Sequence, residues 1–193
     1  MGRRKKKHQE KTKEPSLKAE WQSWYASKRP VLWFTFKFGT LLALFYILFA
    51  MQFCDRNILY PYLEANAWLA NAILNVFGQH THLSDVTIQS PQFTMAIHKG
   101  CDAVEPTWLL CAAILSFPAS WRHKILGMLT GIILLQALNL VRIITLYWIG
   151  VHLPSFFNSA HMEIWPTAFI IVAITLFVGW KQWSSHQPET HAA

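Results

Sequence analysis

The sequence predicts an all-α integral membrane protein with about four transmembrane helices, an interfacial amphipathic helix and a small extracytoplasmic β-hairpin. Hydrophobic residues make up 53% of the 193 residues, and only ten side chains are acidic. The apolar residues come in runs that are too long for the core helices of a soluble domain. Basic residues stand ahead of the first run and in the turns between later runs, as they do on the cytoplasmic side of membrane proteins.

Residues 1–30 form a basic segment that we expect to be cytoplasmic. The whole formal net charge of +7 comes from this segment, because basic and acidic residues balance in the rest of the chain. Retention on the cytoplasmic side explains the charge better than nucleic-acid binding, because no stacking or groove-reading motif accompanies it. The segment is no cleavable signal peptide, since the first apolar run is of spanning length and lacks a small-residue cleavage site. We expect a flexible start, then a short interfacial helix that carries Trp21, Trp24 and Tyr25 and stops before Pro30.

A single membrane domain is predicted for residues 31–183, followed by a cytoplasmic tail at 184–193. The expected spans are 31–53, 103–117, 125–150 and 162–180. The loop 151–160 has no Lys or Arg. With four spans, the basic turn that carries Arg122 and Lys124 lies inside the cell together with Lys181, and residues 54–102 lie outside.

Residues 58–77 are the ambiguous stretch, because they are long enough to span but carry a proline, a glutamate and three asparagines. A fifth span here would move the basic turn and the tail to the outside. We therefore predict an amphipathic helix, or a pair of helices, that lies on the outer leaflet or dips into it.

The stretch 83–98 changes to a period of two, which indicates strands. Val86 and Ile88 alternate with polar residues, 90–92 reads as a turn, and Phe93, Met95 and Ile97 alternate again. This is the predicted hairpin, and it leads the chain to Cys101.

Cys101 stands where this polar segment meets an apolar helix. Asp102 can cap that helix, with Glu105 three residues later in a capping-box relation. A thiol near a helix N-terminus feels the positive end of the helix dipole, which favours the nucleophilic thiolate. Pro106 allows the alternative that Glu105 is the cap, which would move the thiol away from the helix end. A small buried cysteine with no chemical role is the other interpretation.

Arg142 belongs to a polar stripe with Gln136 and Asn139 on an otherwise apolar helix, at spacings i, i+3 and i+6. An arginine at membrane depth is expensive unless it faces the bundle interior and is paired, so it marks a functional site by default. A structural ion pair with Glu105 or Glu163 is the alternative.

His161 opens the last span and is predicted to lie on the same side of the membrane as Cys101. Imidazole titrates near neutrality and can carry a proton between a thiol and a leaving amine. His98 and His152 lie on that side too and are rivals for the role.

A thiol, an arginine and a histidine in one place suit acyl transfer. The thiolate attacks a peptide carbonyl, the arginine stabilises the oxyanion or the thiolate, and the histidine serves as acid and base. The three cysteines show neither a pairing framework nor metal-ligand spacing, and we expect no metal and no organic cofactor.

These residues resemble the exosortase/archaeosortase family of membrane cysteine transpeptidases. The resemblance rests on Gly100 and Cys101 with Glu105, on the block Asn139 to Ile143, and on His161, all on consecutive apolar helices. It covers about residues 85–180, and the short chain is most similar to the exosortase H subgroup.

The resemblance implies the roles of the site residues. Cys101 matches the nucleophile, Arg142 the family's arginine and His161 the third position, with Glu105 and Asn139 in support. It also implies a substrate: an exported protein whose C-terminal sorting signal is a short motif, a transmembrane helix and a basic tail. Cleavage is expected on the outer side of the bacterial cytoplasmic (inner) membrane, with transfer to an unknown acceptor nucleophile. Many members have glycine two residues after the cysteine, where this chain has Ala103.

Three other classes are less consistent with the sequence. A haem protein would need histidines within the spans, where none lies. A transporter would need repeat symmetry or broken helices. A non-catalytic membrane scaffold or assembly factor for surface-protein export is the remaining alternative, and it predicts that Cys101→Ala leaves function intact.

Overall fold

The computed structural model describes residues 17–186. The elements run in the order α1 (Leu17–Phe49), α2 (Gln52–Cys54), a π-helical turn (Asp55–Leu59), α3 (Tyr60–Val76), β1 (His82–Ser84), β2 (Thr87–Gln89), β3 (Thr94–Ala96), α4 (Val104–Ser116), α5 (Trp121–His152), a 3-10 turn (Pro154–Phe156), α6 (Phe157–Ser159), a second π-helical turn (Ala160–Ile164) and α7 (Trp165–His186). The predicted basic start and C-terminal tail fall partly outside the described residues.

The first helix differs from its prediction at both ends. We expected a separate interfacial helix before Pro30 and a span over 31–53, whereas α1 is one helix from Leu17 to Phe49 with Pro30 inside it. Proline removes one backbone hydrogen bond at a cost of about 3 kcal/mol, which a long helix tolerates. At the other end, the N–H of Met51 donates to the carbonyl of Leu48 at 3.1 Å, so the chain turns out of the helix before Phe53.

Among the described residues, three helical runs are long and apolar enough to cross a membrane: Trp24–Phe49, Trp121–His152 and Pro154–Ser185. The fourth predicted span is present as α4, but its 13 residues extend only about 20 Å against a hydrocarbon thickness of about 30 Å. Helix α4 lies against all three long runs. The predicted four-span bundle thus consists of three long helices around a short central one.

The predicted loop 151–160 is wrong, because helical structure continues through most of it. Helix α5 ends at His152 and the next turn begins at Pro154. Proline suits the first position of a helix, since its missing N–H has no partner there in any case. The last helical run therefore starts well before residue 162 and includes the turn that carries His161.

The segment between α1 and α4 folds into a helix and a small sheet. Helix α3 buries one face, formed by Leu63, Ala67, Ala70 and Leu74, which confirms its amphipathic character. That face packs on the sheet and on α5. The predicted hairpin is present as β2 and β3, and β1 extends it to a three-stranded antiparallel sheet in the order β1-β2-β3.

Two apolar clusters hold these parts together. One joins α3, the sheet and the C-terminal part of α5 around Leu74, Ile88 and Tyr147, all fully buried. The other joins α4, α5 and α7 around Leu110, Leu135 and Phe169. Arg142 follows Leu135 by two helical turns on α5 and lies near Ile143 of the first cluster. The loop that carries Cys101 therefore meets α5 at the junction between the two clusters.

Candidate active site

The cysteine lies in a tight loop whose backbone requires two unusual conformations. Gly100 has φ of +92° and Ala103 has φ of +57°. The N–H of Cys101 donates to the carbonyl of His98 at 2.9 Å, which closes the turn. Glycine adopts positive φ freely, whereas alanine in the left-handed region is destabilised by about 1–2 kcal/mol. Ala103 thus adopts a conformation that a glycine at this position would adopt without strain.

Asp102 fastens this loop to the start of α4. Its side chain is 1% exposed and accepts hydrogen bonds from the N–H of Val104 at 3.0 Å and of Gly100 at 3.4 Å. The prediction of Asp102 as the helix cap is wrong, because Ala103 is the N-cap of α4, although the carboxylate of Asp102 does bind the first helical N–H from one residue further back. The alternative with Glu105 as cap is wrong: Glu105 lies in the first turn of α4 and its side chain is exposed.

Arg142 reaches this loop from α5. Its side chain is 4% exposed. Nη2 donates to the sulfur of Cys101 at 3.6 Å, and Nη1 donates to the carbonyl of Gly100 at 3.4 Å. The guanidinium also lies 5.6 Å from the ring centre of Phe169.

No carboxylate pairs with this arginine. The expected structural partners, Glu105 and Glu163, are exposed, and within residues 17–186 the only ion pair joins Lys99 to Asp55 at 2.8 Å. The Nε atom of Arg142 is buried without a hydrogen-bond partner. The direct contacts of this buried positive charge are therefore a thiol, a carbonyl and an aromatic ring. An anion that forms beside the guanidinium is strongly favoured, because it compensates the buried charge.

His161 completes the group from the last helical run. Its Nε2 and Nδ1 atoms lie 3.6 and 3.9 Å from the sulfur of Cys101. The imidazole stacks on Phe157, with ring centres 5.8 Å apart. His161 belongs to the π-helical turn Ala160–Ile164, a local widening of the helix that recurs at functional sites.

The rival histidines stand apart from this contact. His98 is exposed and gives the cysteine loop only its backbone carbonyl. His152 stacks on Trp148 with ring centres 5.4 Å apart. Within the part of the chain that the structure describes, the imidazole of His161 alone contacts the sulfur of Cys101.

Burial outweighs the charges around the thiol. Desolvation raises the pKa of Cys101, the charge of Arg142 and the backbone bond to His98 lower it, and Asp102 raises it further. The net direction is upward. The expected net lowering of the pKa of Cys101 is therefore wrong, because the thiol is half-buried and lies three residues before α4. A raised pKa favours the protonated thiol, so a base beside Cys101 is needed to form the thiolate.

A cavity of about 490 Å³ opens over this group. Its walls are the chain from Phe93 to Lys99 on one side and Pro154, Phe157 and His161 on the other, with Cys101 and Arg142 at the base. A smaller cavity of about 240 Å³ lies on the opposite side of the cysteine loop, between α1, α4 and α7, and also contacts Arg142.

A family model described as Transmembrane exosortase (Exosortase_EpsH) matches residues 23–179. The chain belongs to the exosortase family. No curated protein and no solved structure matches it. The family match and the apolar helices make this exosortase a multi-pass membrane protein.

A polar layer that sequence reasoning missed supports the cysteine loop of this exosortase. The hydroxyl of Tyr62, on α3, lies 2.6 Å from the carbonyl oxygen of Asp102 and also contacts the side-chain amide of Gln136. One signal was available, since Gln136 belongs to the polar stripe on α5. The contribution of α3 could not be read from the sequence, because the pairing of α3 with α5 spans 74 residues.

Asn139 belongs to this layer and does not contact the thiol. Its amide nitrogen donates to Asn66 at 3.3 Å, and Asn66 in turn donates to the carbonyl of Tyr62 at 2.8 Å. Asn139 is fully buried and its Oδ1 has no partner. The predicted supporting residue thus ties α5 to α3 beneath the site.

Proposed function

We propose that this exosortase-family protein is a membrane cysteine protease or transpeptidase that cleaves the C-terminal sorting signal of exported proteins through a thioester. One observation carries the proposal: the buried guanidinium of Arg142 has no carboxylate partner and donates to a sulfur that lies 3.6 Å from an imidazole. A buried positive charge that forms no direct ion pair in the described residues, with the carboxylate of Asp102 attracting it only from further away, is suited to stabilise negative charge that develops beside the thiol during the reaction.

The first step is proton transfer and attack. Nε2 of His161 takes the proton of Cys101, and Arg142 stabilises the thiolate. The sulfur then forms a bond to the carbonyl carbon of the scissile peptide, and the carbonyl electron pair moves onto oxygen. The resulting oxyanion is stabilised by the positive charge of the same guanidinium.

The second step releases the C-terminal part of the substrate. The oxyanion collapses, the C–N bond breaks, and protonated His161 gives its proton to the leaving amine. A thioester on Cys101 remains. An incoming nucleophile, either water or an acceptor group, loses a proton to His161, attacks the thioester and displaces the thiolate. The retained substrate is hydrolysed or transferred, according to which nucleophile enters.

The sides of the membrane follow from the charges. Arg122 and Lys124 lie at the start of α5, whereas Arg142 and the cysteine loop lie toward its other end. If the basic end is cytoplasmic, the site faces outward, both termini are inside, and the enzyme acts on substrates after export across the bacterial inner membrane. The substrate's own transmembrane helix would then lie beside the bundle, with its motif at the cavity.

The test is the mass of an exported reporter that carries a C-terminal sorting signal, co-expressed with the wild type, Cys101→Ala, Arg142→Ala or His161→Gln. We expect the wild type to remove the segment and each of the three variants to lose activity, by about 10²-fold or more. Cys54→Ser is the matched control, because Cys54 is also a free, half-buried thiol. The retained mass separates hydrolysis from transfer.

Unchanged processing by Cys101→Ala would exclude the nucleophile and favour a scaffold role for the chain. Equal losses in Cys54→Ser and Cys101→Ala would mean that the measured effect comes from folding and not from the thiol at the site.

A further inference from the structure

Strand β3 is an edge strand with one free side. The sheet order is β1-β2-β3, and β3 pairs with β2 alone. The N–H of Ile97 donates to the carbonyl of Val86 at 2.9 Å, and the N–H of Ser90 donates to that of Phe93 at 3.0 Å. In an antiparallel ladder, the residues that exchange hydrogen bonds alternate with residues whose N–H and C=O point away.

This register assigns the direction of each backbone group on β3. Phe93, Met95 and Ile97 direct their N–H and C=O toward β2. Thr94 and Ala96 direct theirs to the free side, and in the described part of the chain these groups form no hydrogen bond. The free edge thus offers two donors and two acceptors, with the two residues about 7 Å apart.

The free edge borders the cavity that holds the reactive group. Side chains of a strand alternate between its two faces, yet seven consecutive residues from Phe93 to Lys99 line this cavity. A cavity that contacts every residue in turn must run along the backbone of the strand. Since β2 occupies one side of β3, the cavity lies along the other, free side. Across the cavity lie Pro154 and His161, so the space between the free edge and the last helical run leads directly to Cys101.

Proteins protect exposed strand edges with charges, with proline or by keeping the edge strand very short. Strand β3 is short, at three residues, but carries neither a charge nor a proline. We infer that the free edge of β3 binds the substrate's motif as an added strand, pairing through Thr94 and Ala96 and delivering the scissile bond to Cys101. This inference rests on the proposed function and adds its mode of substrate recognition. Main-chain pairing of this kind gives affinity, and the side-chain pockets give selectivity.

The pairing has a signature of period two on the substrate side. An added strand uses the N–H of every second residue, so blocking those N–H groups weakens binding and blocking the intervening ones does not. Each blocked donor leaves a partner carbonyl unpaired, and we expect a five- to twentyfold loss of affinity.

The experiment measures protection of Cys101 from iodoacetamide in the full-length protein, with the alkylated residue identified by mass spectrometry. The probes are synthetic peptides that cover the residues preceding the transmembrane helix of the exported reporter, each N-methylated at one position. Losses of affinity at alternate positions support the inference. A set of peptides that show no alternation, or that do not protect Cys101 at all, would overturn it.

A second measurement compares two variants at one position with the unmodified peptide. Thr94→Pro removes an outward N–H, and proline is tolerated at such positions of an edge strand. Thr94→Ala keeps this N–H donor, so the Thr94→Ala protein should bind the peptide at least fivefold more tightly than the Thr94→Pro protein. Equal affinity of the two variants would contradict edge pairing.

The outcome is separable from that of the proposed function, because protection requires no cleavage. Alternating protection without processing of the reporter would refute the proposed cleavage and leave the edge assignment standing. Processing of the reporter without alternating protection would support the proposed cleavage and refute the edge pairing.

Discussion

Replacing Arg142 with methionine should change stability and activity in opposite directions. The side chain is 4% exposed and forms no direct ion pair within residues 17–186, and the buried carboxylate of Asp102 attracts it only from beyond ion-pair distance. Removing a guanidinium from water has an effective cost of several kcal/mol. Its hydrogen bonds to Cys101 and Gly100 are long, at 3.6 and 3.4 Å, and return about 1 kcal/mol each at most. The contact with the ring of Phe169 adds about 1 kcal/mol.

These contributions leave the arginine destabilising by roughly 2 kcal/mol. Methionine has a similar length and fills the space without a charge. Arg142→Met should therefore raise the melting temperature in detergent by about 4–8 °C. The rate of reporter processing should fall by about 10²- to 10³-fold, because the oxyanion loses its charged donor.

The assay pairs thermal unfolding of the purified protein with processing of the exported reporter. Arg122→Met is the matched control, since Arg122 lies on the same helix, is exposed and stands at the opposite end. Arg122→Met should change neither the melting temperature nor the processing rate by a comparable amount. A loss of more than about 2 kcal/mol in Arg142→Met, with a rate that follows the folded fraction, would show that the arginine is structural and refute this reasoning.

Three further outcomes follow from the site. Since burial raises the pKa of Cys101, its alkylation rate should increase with pH and reach its midpoint above the pKa of a free thiol. In Arg142→Met the midpoint should move to a still higher pH. A midpoint below the pKa of a free thiol would contradict the burial argument. Ala103→Gly should leave the free energy of unfolding nearly unchanged, because relief of the positive φ of +57° offsets the lost methyl group. Ala67→Gly, on a helix, should lower it by about 1–2 kcal/mol. Equal losses of stability in the two variants would exclude strain at Ala103. Tyr62→Phe removes the hydrogen bond to the backbone carbonyl of Asp102 and should lower kcat severalfold with little change in KM. A change in KM alone would argue that Tyr62 does not position the cysteine loop.

The sequence was sufficient for the membrane class and for most helices. Apolar runs of spanning length have few alternatives to helix, because unpaired backbone groups are not tolerated in hydrocarbon. It was less reliable at the ends of elements. Pro30 reads as a boundary by its local effect, yet α1 continues through it. The loop 151–160 lacks charge but becomes helical, since Pro154 can start a helix and Phe157 packs on Phe93.

The candidate site could be predicted as a set of residues but not as a set of contacts. Cys101, Arg142 and His161 each stood out through chemistry that is unusual at the expected depth, and the topology placed them on one side. Their separations in the chain are 41 and 60 residues. Periodicity indicates which face of a helix a residue occupies, and it carries no information on what that face meets.

Sequence alone therefore determined that this chain is a multi-spanning helical protein whose thiol, guanidinium and imidazole fall at one end. Tertiary structure decided that Arg142 contacts sulfur and not a glutamate, and that the effect of burial on the pKa of Cys101 outweighs that of the arginine's charge. It also decided that Tyr62 holds the cysteine loop and that the free edge of β3 borders the cavity. The physical reason is that desolvation and long-range pairing depend on every neighbour of a group at once, whereas local patterns specify only the element on which it lies.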